Sequence, residues 1–153
     1  LAVQSTKIEF CSEIFAISGA TGIAFPIEFP ITFVSTAIDQ TVYVNNAGDV
    51  EVWPMIRING PGVNPEIENE TTGKTIALTQ ALEAGDHIDI DMADATIGFY
   101  DASEDKTTSI LDSMSDESEF WALAMGDNTV HVTMTGATSG SVIFSYYLQY
   151  LGV

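Results

Sequence analysis

TVYVNNAGDVEVWPMIRINGPGVNPEIENETTG, residues Thr41 to Gly73, is cut into short runs by Asn-Ala-Gly, Asn-Gly-Pro-Gly and Thr-Thr-Gly. Clusters of Asn, Gly, Pro and Thr punctuate a chain because they stabilise turns or supply the backbone angles that turns need. The runs between them alternate, with Val42 and Val44, then Ile56 and Ile58, on one side. A period of two describes strands with one buried face, not helices.

The alternation continues downstream. Lys74 to Gln80 alternates around Ile76 and Leu78, and His87 to Met92 around Ile88, Ile90 and Met92. Between Asn128 and Thr135, Val130, Val132 and Met134 share a face opposite His131 and Thr133. Ser141 to Leu151 aligns Val142, Phe144, Tyr146, Leu148 and Tyr150, and Gly136–Gly140 is expected to join these last two strands as a hairpin loop. No stretch sustains helical spacing; Thr108 to Leu123 is the only candidate, for a turn or two at most. Turn signals recur roughly every ten residues, which predicts an all-β fold, an antiparallel two-sheet β-sandwich of jelly-roll type. Ile56, Ile58, Ile76, Leu78, Ile88, Ile90, Val130, Val132, Phe144 and Tyr146 are expected to face inward.

Composition narrows the partners. The 153 residues carry 22 acids against four bases, Lys7, Arg57, Lys74 and Lys106, for a net charge of -18. Phosphate binding needs clustered Lys and Arg, so no nucleic acid is expected as a partner, and an anionic membrane would repel the chain. Such self-repulsion is relieved by salt, which fits either a halophilic setting or simply an acidic protein of an ordinary one. No apolar run approaches the roughly 20 residues of a membrane helix. No signal peptide opens the chain, and Leu1 in place of an initiating Met suggests processing or a fragment. Cys11 is the only cysteine, so an intrachain disulfide and a cysteine metal cluster are excluded.

The ordered elements Asn45-Asn46-Ala47-Gly48-Asp49, Trp53-Pro54, Ile56-Arg57-Ile58, Gly60-Pro61, Asn64-Pro65 and Asn69-Glu70-Thr71-Thr72-Gly73 carry a family resemblance. Leu82-Glu83-Ala84-Gly85-Asp86, Phe120-Trp121-Ala122-Leu123, Gly126-Asp127-Asn128-Thr129 and Tyr150-Leu151-Gly152-Val153 follow in order. With Phe25-Pro26-Ile27-Glu28-Phe29-Pro30-Ile31-Thr32-Phe33 leading in, the chain from Phe25 to Val153 resembles the C-terminal β-sandwich of siphovirus-type distal tail proteins. That resemblance implies a galectin-like or carbohydrate-binding-module-like sandwich and a structural role in the virion at the tail tip. Members usually carry a larger N-terminal ring-forming domain, for which only Leu1 to about Ala24 is present here.

Residues 1–38 are therefore expected to form an N-terminal arm or linker, extended by Pro26 and Pro30, and residues 39–153 the sandwich. Phe25, Phe29, Ile31 and Phe33 are the candidates for subunit contacts, with the sandwich itself as their alternative partner. The expected partners are other copies of the chain and neighbouring virion proteins. The competing readings are a capsid decoration protein and a module binding a host glycan.

The remaining constellations carry little chemistry. Asp86, Asp89, Asp91 and Asp94 suggest a calcium loop, but Ala93 and Asp94 stand where a ligand and the glycine should be. Asp101, Glu104, Asp105, Asp112, Asp116, Glu117 and Glu119 contain carboxylates that could pair for glycoside hydrolysis, yet read better as a solvated loop. Trp53, Trp121, Tyr43 and Tyr147, with Phe99 and Tyr100, could form a sugar-stacking platform, although both tryptophans read better as core or interface anchors. His87 and His131 fall on separate strands at outward positions and lack further nitrogen or sulfur ligands for zinc. Asn69-Glu70-Thr71 is a formal glycosylation sequon. No catalytic residue, cofactor or metal is expected.

Overall fold

The computed structural model describes residues 8–14, 37–137 and 139–151. Eleven strands follow in order: β1 (Ile8–Ile14), β2 (Ala37–Asn46), β3 (Met55–Asn59), β4 (Gly62–Asn69), β5 (Lys74–Ala77), β6 (Ala81–Leu82), β7 (His87–Asp91), β8 (Thr96–Asp101), β9 (Lys106–Ser109), β10 (Gly126–Thr135) and β11 (Ser141–Gln149). A 3-10 turn, Leu111–Ser113, interrupts the long β9–β10 connection, where the sequence allowed a turn or two.

Every pairing among the described residues is antiparallel. One sheet runs β1-β11-β3-β7-β8-β9, the other β2-β10-β4-β5 with β6 added to β4. Register aligns the apolar positions into rows. In the first sheet Phe144, Ile56, Ile90 and Ile97 stand opposite one another across four strands. In the second, Val132 pairs with Ile67 and Ile67 with Ile76. All ten side chains expected to face inward are buried, and they meet between the sheets with Trp121, Leu123 and Met92. Removing each large apolar side chain from water contributes about 1.5–3 kcal/mol, so the rows hold the layers together.

One connection differs from the sequence reading. β10 and β11 are not a hairpin: β10 lies in one sheet and β11 in the other, so the Gly136–Gly140 loop crosses over the end of the sandwich. Both strands present an apolar face, and these faces cover each other across the core instead of lying side by side. The crossing is close, since a Cβ on Gly140 would lie 2.8 Å from the Met134 side chain and 3.0 Å from the Asn59 carbonyl. Within residues 1–38, β1 pairs with β11 from Ile8↔Gln149 to Ile14↔Ile143. β2 pairs with β10 from Ala37 to Asn46, and Ile38 is buried in the core.

Candidate assembly surface

Alternation along β3 fixes what the outer face of the first sheet presents. Ile56 and Ile58 point inward, so Met55, Arg57 and Asn59 point outward, and exposed Trp53 continues the same line beyond buried Pro54. Met55 lies opposite Ser145 of β11. Tyr147, two residues further along β11, returns to the same outer face, diagonal to Met55. Trp53, Met55 and Tyr147 are 46%, 47% and 53% exposed, three large apolar groups together on the outside of a strongly acidic protein.

The neighbouring polar groups are tied to one another. Arg57 grips Asp89 through two bonds, Nε to Oδ1 at 2.7 Å and Nη2 to Oδ2 at 2.8 Å. That hydrogen bonding raises the Arg57 pKa, so the guanidinium stays charged. Asn59 donates to the Ser141 hydroxyl at 2.9 Å, and the His87 ring stacks on Tyr100 with centroids 4.7 Å apart. The Tyr100 hydroxyl donates to Asp105 at 2.7 Å, which pushes its pKa up. The patch is thus an apolar cluster edged by paired polar side chains, the composition of a contact surface with a polar rim.

The assembly candidates Phe25, Phe29, Ile31 and Phe33 lie outside the described residues. The sugar-stacking aromatics do not converge. Trp121 is fully buried and Phe99 packs against the core, while Tyr43 projects from β2 in the other sheet. Trp53 and Tyr147 are both exposed on the outer face of the first sheet.

The calcium candidates are engaged elsewhere. Asp86 is buried and accepts the backbone N–H of Glu83 at 2.7 Å and of Ala102 at 2.9 Å, joining two turns. Asp91 accepts from Ala93 and Asp94, while Asp89 belongs to Arg57. In the second acidic region, Asp101 accepts the Ser103 hydroxyl and the N–H groups of Ser103 and Glu104, and the Ser103 hydroxyl above all holds its carboxyl below the usual range. Glu119 pairs with Lys74 at 3.2 Å. These are turn-forming and ion-pairing roles.

Three asparagines of the sequence motifs prove to be buried structural ties. Asn46 donates to the carbonyls of Val50 and Leu123. Asn69 accepts from the N–H groups of Thr71 and Thr72 and donates towards Ala122 and Asn128. Asn128 bonds Ala124 through both ends of its amide. A sequon whose asparagine is fully buried and bonded offers no acceptor for a glycan. The sequence reading also missed one grouping, Glu68, Glu70 and His131, whose ligand atoms all lie within 4.8 Å of one another. It weighed His131 against nitrogen and sulfur ligands only, and the pairing of β4 with β10 that brings the carboxylates in is not written in local spacing.

No curated protein and no solved structure matches the chain. A family model described as siphovirus-type tail component, C-terminal domain, matches residues 47–150. The match spans Asn69, Asn128, Trp53 and all strands from β3 to β11, and leaves Phe25–Phe33 outside. Most of the chain is covered, and the chain belongs to the siphovirus-type tail component family, whose place is in the virion.

Proposed function

We propose that this protein is a non-enzymatic distal-tail-type component of the tail tip, a symmetric homo-oligomer that works by binding copies of itself and adjacent virion proteins. The observation that carries this reading is the exposed Trp53, Met55 and Tyr147 cluster on the sheet's outer face. Aromatic and Met side chains concentrate at the centres of protein interfaces, and an apolar cluster on so charged a surface is costly unless covered. The family match to a tail component supports tail over capsid. Residues 1–38 add a second contact through Phe25, Phe29, Ile31 and Phe33, while the acidic remainder keeps the free protein soluble.

Light scattering on the intact chain and on a Trp53→Lys/Met55→Lys variant tests this. Lysine lowers the net negative charge, so lost assembly could not be blamed on added repulsion. The expected result is an oligomer that the double substitution breaks down while the β-type circular dichroism is unchanged. Assembly unaffected by it would remove this patch from the interface, and the same comparison with Phe29→Ser/Phe33→Ser examines the arm.

A further inference from the structure

We propose that Glu68, Glu70 and His131 form a binding site for a divalent transition-metal ion of the zinc class on the outer face of the second sheet. Register creates the site. His131 of β10 stands directly opposite Glu68 of β4, and Glu70, two residues beyond Glu68, returns to the same face. One imidazole nitrogen and two carboxylate oxygens lie within 4.8 Å of one another. Ligands about 2.0–2.2 Å from a tetrahedral zinc stand roughly 3.4 Å apart, so small side-chain rotations close the set.

Two further observations favour an ion there. Among the described residues neither Glu68 nor Glu70 has a side-chain hydrogen bond or ion pair, and the base nearest in sequence, Lys74, is engaged with Glu119 at 3.2 Å. Two carboxylates converging without a cation repel each other, and a dication removes that cost. The His131 ring is also oriented from the opposite side, Nε2 lying 2.8 Å from Asp39 Oδ1. A carboxylate bonded to a ligating histidine fixes the orientation of its ring. The mixed nitrogen and oxygen set selects the ion: calcium wants six to eight oxygens, whereas one imidazole with two carboxylates suits zinc, cobalt or manganese. Three protein ligands leave an outward position for water or for a donor from a neighbouring chain.

The test is a Co2+ titration of the full chain, stripped of metal, followed by visible absorption and by thermal melting. Saturable binding of one ion per chain with a raised melting temperature is expected, and Zn2+ should displace the cobalt while equimolar Mg2+ or Ca2+ should not. His131→Gln and Glu68→Gln should each weaken binding roughly tenfold or more, the scale on which even supporting residues act. Glu66→Gln, an exposed acid on the same strand, is the control and should bind as the parent. All four proteins are checked for the same β-type circular dichroism. Absence of saturable binding, or equal affinity in His131→Gln and the parent, overturns the proposal.

Discussion

The side-chain amide of Asn128 holds both backbone groups of Ala124, accepting its N–H at 2.9 Å and donating to its C=O at 2.8 Å. The same side chain reaches the carbonyls of Val44 and Gly126 and meets the Asn69 amide at 3.4 Å. The loop between the 3-10 turn and β10 is therefore fixed to the starts and ends of β10, β2 and β4 by buried polar contacts.

Replacing Asn128 by Ala would leave several buried N–H and C=O groups unpaired. Each such group costs about 1–3 kcal/mol, and partial relaxation brings the expected total to about 2–4 kcal/mol. Urea denaturation of parent and variant measures it, and a loss under about 1 kcal/mol would show that the tie is dispensable.

Trp121 fills the centre of the core, fully buried, and its Nε1–H has no hydrogen-bond partner among the described residues. Trp121→Ala should cost about 3–5 kcal/mol through the cavity it leaves. Trp121→Phe keeps a ring and removes the unpaired donor, so its cost should be well below that of alanine. Equal losses in thermal melts of the two variants would contradict this account of the site.

Charge makes the fold salt-dependent. With a net charge of -18, repulsion is felt over a screening length of about 10 Å at 0.1 M salt and about 3 Å at 1 M. The melting temperature should rise across this range, with the same trend for sodium and potassium chloride. A flat profile would mean that the acids repel one another too weakly to matter.

The Asp101 carboxyl is held below its ordinary pKa chiefly by the Ser103 hydroxyl. A depressed carboxyl favours the folded state above its unfolded pKa and loses that contribution as pH falls through the folded value. Ser103→Ala should move the Asp101 titration, followed by NMR, upward towards the ordinary range. No movement would assign the shift to the backbone bonds alone.

Much of this fold was legible because strand alternation writes burial directly into sequence: Ile56, Ile58, Ile88 and Ile90 could face only one way once β3 and β7 were strands. Which sheet a strand joins is not written there. Val130 and Phe144 alternate identically, yet they lie on opposite sides of the core, and only long-range pairing tells them apart. The same limit separates Trp53 from Trp121, one exposed and one buried, and hides the meeting of His131 with Glu68. The motif asparagines were visible as turn residues, but their buried partners, such as Leu123 for Asn46, lie far along the chain. The tail-component family was legible in ordered motifs, while the exposed outer face needed the register of β3 and β11.

The native mass of the unmodified chain, measured by light scattering over a range of concentrations in molar salt, tests the assembly claim most directly. A closed symmetric oligomer is expected, at six times the subunit mass for a ring or three times for a trimeric cluster. A chain that stays monomeric at every concentration and salt level would contradict it.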